Sequence, residues 1–211
     1  TQPTCAVATG TITVTAPTGA GMTYSIDGST YSNTTGIFAL LAANTYTVTD
    51  KNAAGCISAG TSVTINTQPA TPAAPNVGTI TQPTCTVATG GVILSGLPAG
   101  NWTINPGAIT GTGATTTVTG LPAATYNFTV TNAAGCTSAP SANVIINAVP
   151  AAPSAPAVGT ITQPTCAVPT GSVVLSGLPA GNWTINPGAI TGTGAATTVT
   201  GLPAATYNFT V

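Results

Sequence analysis

LPAATYNFTVTNAAGC, running from Leu121 to Cys136, is the stretch whose reading decides the fold. It opens with a leucine, a proline and small residues, which is turn chemistry. It then alternates with period two: Tyr126, Phe128 and Val130 point one way, Thr125, Asn127 and Thr129 the other. That is the pattern of a half-buried strand. A small-residue turn, NAAG, then delivers a cysteine. The stretch recurs as LAANTYTVTDKNAAGC over residues 41–56 and as LPAATYNFTV over residues 202–211. A leucine followed five residues later by a strand-opening tyrosine is the pattern of a tyrosine corner, whose phenol ties back to upstream backbone. The stretch therefore reads as the penultimate strand of an immunoglobulin-like domain.

The repeat extends well beyond this strand. TQPTC occurs at Thr1, Thr81 and Thr162, and Thr81–Val130 matches Thr162–Val211 at all but five positions. A period of 80 to 81 residues is too long for a solenoid coil and suits one small sandwich per unit. The expected domains are 1–72, 73–153 and 154–211, the last lacking the NAAGC turn and a final strand. Such a third unit is expected to be either a window on a longer array or a sandwich whose missing strand comes from another chain.

Working outward along each unit, TGTITVT puts Ile12 and Val14 on an inner face, and Val92, Leu94, Val173 and Leu175 take those places later. MTYSID follows, with Tyr24 and Ile26 on one face, and its counterparts carry Trp102, Ile104, Trp183 and Ile185. Asp27-Gly28 and Asn105-Pro106-Gly107 read as tight turns. A short strand around Phe38, Val118 or Val199 precedes the deciding one. TSVTIN and ANVIIN supply the last strand, with Val63, Ile65, Val144 and Ile146 inward. No helical periodicity occurs anywhere. The fold class is all-β: tandem immunoglobulin-like sandwiches. The Pro-rich segments Thr67–Asn76 and Ala148–Ala157 are stiff linkers, so the units are expected to form an extended rod. VGTITQPTC after each linker can begin the next unit's first strand.

Charge is nearly absent. Asp27, Asp50 and Lys51 are the three charged side chains, and there is no histidine. One cation cannot neutralise phosphates, so nucleic acid is excluded as a partner, as is electrostatic docking to anionic membrane. Thr, Gly, Asn and Pro interrupt every apolar run, so no membrane insertion of this segment is expected. General acid–base chemistry needs titratable groups that the second and third units lack, and a Ser or Thr nucleophile would have no base. The expectation is a non-enzyme with no catalytic residue, cofactor or metal.

Cys5 and Cys56 are separated by 51 positions, as are Cys85 and Cys136. The expected bridges are Cys5–Cys56 and Cys85–Cys136, one within each domain, with the partner of Cys166 outside the chain. Such bridges imply an oxidising, extracellular setting. Trp102 and Trp183 are either core aromatics or platforms for stacking a sugar, and the core reading is preferred. The outward threonines (Thr45, Thr47, Thr49, Thr129, Thr131) are ordinary exposed strand residues or a binding array, and the former is preferred. Asn33, Asn101, Asn127, Asn182 and Asn208 begin N-x-T triplets, which a chain this rich in both residues produces by chance.

An early cysteine, a TITVT-type strand, an aromatic strand and L-P-A-x-T-Y-x-x-T-V-T-x-x-x-A-G-C together resemble the SprB-type repeat of large surface adhesins of gliding bacteria, exported by the type IX secretion system. The resemblance covers all three units. It implies a stalk or fibre at the cell surface, with cell adhesion or gliding motility as its setting. The partners it implies are neighbouring repeats and other copies of the fibre. The alternative is a carbohydrate-binding accessory module of a secreted protein, with surface glycans as its partner.

Overall fold

The computed structural model describes residues 1–211 and contains strands and turns but no helix. The chain divides into two compact units, Thr1–Ala148 and Val149–Val211, and the first holds two of the repeats. No helix is long and apolar enough to cross a membrane.

The first repeat comprises β1 (Gly10–Thr13), β2 (Thr23–Ser25), β3 (Ile37–Leu41), β4 (Asn44–Lys51) and β5 (Thr61–Ile65). Strand β1 pairs with β3, and β4 lies between β2 and β5, all antiparallel. The deciding stretch is thus central: its first half, Asn44–Val48, pairs with β5 and its second half, Thr49–Lys51, with β2.

The second repeat repeats this plan with more strands: β6 (Asn76–Thr81), β7 (Gly90–Ser95), β8 (Trp102–Asn105), β9 (Ile109–Gly111), β10 (Thr115–Leu121), β11 (Ala124–Tyr126), β12 (Thr129–Asn132) and β13 (Val144–Ile146). One layer is β10-β7-β6; facing strands pair as β12-β8-β9 and β11-β13. VGTIT after the linker does form the first strand, β6. No named strand of the first repeat pairs with one of the second. Between the layers, Val92, Leu94, Trp102, Ile104, Val118, Phe128, Val130, Val144 and Ile146 form one buried cluster. A fully buried Phe or Leu side chain of this kind contributes about 1.5–3 kcal/mol. The architecture is of the β-sandwich class.

The deciding stretch is interrupted here between Tyr126 and Thr129, where the chain passes from its β13 partner to its β8 partner. Backbone polar groups exposed by the break are recovered by two buried serines. Ser138 and Ser141 accept the N–H groups of Val130 and Phe128 through their hydroxyls at 3.0 Å. Their own amides donate to Val130 O and Phe128 O. Residues 137–141 therefore serve as a partner strand without being one.

The tyrosine corner is present in every repeat. Tyr46, Tyr126 and Tyr207 each donate a phenolic hydrogen bond to the carbonyl four residues upstream, Ala42, Pro122 and Pro203, at 3.0 Å. The register corrects one equivalence drawn from the sequence. Tyr24 stands opposite Asp50, as Ile104 stands opposite Val130, so Tyr24 occupies the place of Ile104 rather than that of Trp102. Matching aromatic to aromatic misplaced it, because Tyr24 lies two positions further along its strand than Trp102 lies along its own.

The second unit comprises β14 (Ala157–Thr162), β15 (Gly171–Ser176), β16 (Trp183–Ile185), β17 (Ile190–Gly192) and β18 (Ala196–Leu202), paired as β14-β15-β18 and β16-β17. Its core is Val173, Leu175, Leu178, Trp183, Ile185 and Val199. Thr210 pairs with Asn186 by two backbone bonds at 2.9 Å, the same pairing that Thr129 makes with Asn105.

Candidate functional site

Two local devices meet at one place in the first unit. The first is the TQPTC loop. Thr4 N–H donates to Val7 O at 2.9 Å, and the Thr4 hydroxyl accepts Val7 N–H at 3.2 Å, which curls the chain around Cys5. Gln2 fixes where that loop sits: its side-chain amide donates to Thr64 O and accepts Asn66 N–H, at the far end of β5. Gln82 does the same with Ile145 O and Asn147 N–H.

The second device is the NAAGC turn. Asn132 Oδ1 accepts the Cys136 N–H at 3.0 Å, Asn132 N–H donates to Cys136 O, and Gly135 N–H donates to Asn132 O. Asn52, Gly55 and Cys56 repeat every one of these bonds. Gly135 and Gly55 have φ of 81° and 88°, a left-handed conformation that glycine adopts without a Cβ clash.

These devices join across the repeat boundary. Cys5 is bonded to Cys136, with Cα atoms 5.4 Å apart, and Cys136 is fully buried. The expected pairs Cys5–Cys56 and Cys85–Cys136 are therefore replaced by a single bridge from one repeat to the next. The reason is geometric. Gln2 holds the TQPTC loop at the Ile65 end of β5, whereas the Cys56 turn precedes its Thr61 end. A five-residue strand spans roughly 13 Å, and a disulfide needs Cα atoms within about 7 Å. Cys5 and Cys56 sit at opposite ends of their repeat. The separation of 131 positions is one intra-repeat spacing plus one repeat, so regular spacing alone fitted either pairing.

The linker is built into the joint. Gln68 donates to Cys5 O at 3.0 Å, Asn132 Nδ2 donates to Ala70 O at 2.9 Å, and Pro69 O lies 3.7 Å from Cys136 Sγ. Cys56 and Cys166 are exposed thiols, and Cys85 is exposed and outside the bridge. Sequence reasoning singled out the cysteines but passed over Gln2, Gln82, Asn52 and Asn132. The signal was available: each recurs at a fixed offset from its cysteine.

The two tryptophans fall to their simpler reading. Trp102 and Trp183 are core residues, and each indole N–H donates to a backbone carbonyl, Gly113 O at 2.8 Å and Gly194 O at 2.7 Å. Gly111 and Gly192 lie flat on the indoles, where a Cβ would overlap the ring. A shallow groove lined by Asn101, Thr103, Thr110, Thr112 and Thr131 runs over Trp102, and Thr184, Thr191 and Thr193 line its counterpart over Trp183. Outward threonines bond one another across strands, Thr45 with Thr64 at 2.9 Å and Thr131 with Thr137 at 2.8 Å. Asn33 and Asn127 direct their side chains to local backbone and side-chain partners.

No family model matches the chain, and no curated protein matches it. Among solved structures it is similar to the Bacteroides ovatus mixed-linkage glucan utilization locus SGBP-B in complex with a mixed-linkage heptasaccharide. Sequence identity is 15%, the TM-score is 0.22, and the match covers 93% of this chain and 54% of that one. The chain thus spans about half the length of that protein.

Proposed function

We propose that the chain is a non-catalytic, structural segment of an extracellular bacterial surface fibre or adhesin stalk, built from tandem immunoglobulin-like repeats. The bridge from Cys5 to Cys136 carries the reading. A disulfide inside a small domain stabilises that domain; one that crosses a boundary fixes successive repeats to each other, which is what a stalk requires and a free-standing module does not. A bond of this kind needs an oxidising compartment. Resemblance to SprB-type repeats, the near absence of charge and the lack of any titratable cluster support the same role. The repeats stack as an extended rod at the cell surface, their partners being neighbouring repeats.

Small-angle scattering tests this. Three repeats of roughly 30–40 Å each should give a maximum dimension of about 100 Å, unchanged in high salt because so few charges are available to screen. A compact, globular profile would refute the stalk.

A second reading rests on the hydroxyl-lined groove that recurs over Trp102 and Trp183. It makes the chain a carbohydrate-binding module whose threonines and asparagines take sugar hydroxyls. Saturable binding on a glycan array, lost when Thr103 and Thr110 are both changed to valine, would favour it over the stalk.

A further inference from the structure

The groove over Trp102 differs from the surrounding sheet in how its hydroxyls are used. Thr131, Thr103 and Thr110 stand in register on β12, β8 and β9, at the strand spacing of about 4.8 Å. Elsewhere, threonines that face each other across strands bond one another, as Thr45 does with Thr64. Thr103 and Thr110 do not: neither hydroxyl has a protein partner, and the Asn101 side chain has none either. Thr184 and Thr191 form the same cross-strand pair in the third repeat, again without a bond. The two grooves measure about 420 and 450 Å³, inside the range of about 300–1,000 Å³ usual for small-molecule sites.

The first repeat shows what such a face can hold. There Lys51 and Thr49 stand at the places of Thr131 and Thr129, and Thr23 at that of Thr103. Tyr31 lies against this face: its hydroxyl is 2.9 Å from the Thr49 hydroxyl, and Lys51 Nζ is 5.6 Å from its ring centroid. A six-membered ring bearing a hydroxyl thus covers the counterpart of the groove. In the second and third repeats the groove stands open. Gly111 and Gly192 lie on the indoles, so an incoming ring meets hydroxyls rather than an aromatic platform. Neither repeat carries a charged side chain.

We propose that the groove is a subsite for an uncharged glycan in the second and third repeats, with Thr103 and Thr110, or Thr184 and Thr191, taking neighbouring hydroxyls of one sugar ring. Tyr31 fills the counterpart in the first repeat, so the three repeats offer two subsites. The inference deepens the second reading above and rests on it. Hydrogen bonds exchanged with water, without stacking or charge, make each subsite weak and indifferent to salt.

The test is an amide-resolved NMR titration of the full chain with cellohexaose and xylohexaose, and with hexagalacturonate as the charged comparator. A neutral hexasaccharide is expected to shift residues 101–112 and 182–193, saturably and equally in high salt, and to leave residues 22–33 unmoved. Thr103→Val with Thr110→Val should weaken the first set of shifts by about tenfold and spare the second. Thr103→Ser with Thr110→Ser, which keeps both hydroxyls, should bind as the parent does, and the spectrum itself reports that each variant is folded. No shift at either groove with any neutral sugar would overturn the second reading and this inference with it. Saturable binding that survives the valine pair, or that hexagalacturonate matches, would overturn the inference and leave carbohydrate binding standing. Equal shifts in residues 22–33 would show that Tyr31 does not fill the first repeat's counterpart.

Discussion

Where the second repeat buries Phe128 and Val130 on its deciding strand, the first places Val48 and Asp50 at the same positions before the cysteine. Ile104 and Trp102 face Tyr24 and Met22 in the same comparison. The cores differ, yet the tyrosine corner, the glutamine clip and the asparagine turn are alike in both repeats. What persists is the set of side chains that bond to backbone. Those bonds fix where strands end and loops begin, whereas core side chains need only fill volume. In the first repeat a polar network takes over part of the load: Asp27 Oδ1 accepts the Thr30 and Ser29 amides and the Ser25 hydroxyl, and Asn33 Oδ1 accepts the Gly36 amide.

Severing the bond between the two repeats is expected to have the largest effect. Cys5→Ser removes a crosslink enclosing well over a hundred residues, a loss of about 5 kcal/mol on the chain-entropy view. Urea unfolding should change from one coupled transition to two, with the sparser first repeat melting earlier. A single, unshifted transition would show that the repeats are held together by something else.

Next come the unequal cores. Trp102→Ala is expected to cost about 3–5 kcal/mol, against about 1 kcal/mol for Met22→Ala, whose side chain is only half-buried. Equal losses in thermal or denaturant unfolding would mean that the two cores are packed equally well. Gly111→Ala presses a methyl into the indole and should cost about 1–3 kcal/mol.

A smaller change should improve the first repeat. Gly120 and Gly201 have φ of 73° and 72°, and the matching residue in the first repeat is Leu40, at φ 57° and 80% exposed. A leucine in that conformation is strained by about 1–2 kcal/mol, and its side chain gains little from burial. Leu40→Gly should therefore raise stability by about 1 kcal/mol, read as a higher urea midpoint. A lower midpoint would mean that the leucine makes a contact worth more than its strain.

Acid should separate the repeats most gently. The Thr30 and Ser29 amides, with the Ser25 hydroxyl, hold the Asp27 carboxyl well below the usual carboxylate range. A depressed folded-state value gives stability that is complete above the ordinary pKa of about 4. It is lost as the pH falls from there through the folded-state value. The second repeat has no carboxylate side chain to titrate. Unfolding of the first repeat should thus depend on pH below about 5 and that of the second should not, with Asp27→Asn abolishing the difference.

Strands, turns and the tyrosine corner were legible because they are written in neighbouring residues: alternation in TYNFTV, and a leucine and a tyrosine five apart. Strand β9 was not legible, since three residues, ITG, are too few to show a period. The disulfide pairing was not legible. Spacing in a perfect repeat is degenerate, for a partner in the same unit and one in the next are equally regular. Only the glutamine clip, which assigns the cysteine loop to one end of β5, breaks the tie.

The covalent joint also sets how the chain responds to tension. A pull applied along it passes from Cys5 straight to Cys136 and leaves the 130 residues between them out of the force path. Those residues, drawn out at about 3.4 Å each, amount to roughly 440 Å of slack that only reduction can release. A single-molecule trace of the oxidised chain should lack that length, and the same trace with reductant should show it. The chain's extensibility would then be governed by the redox state of this one bond rather than by the strength of its sheets.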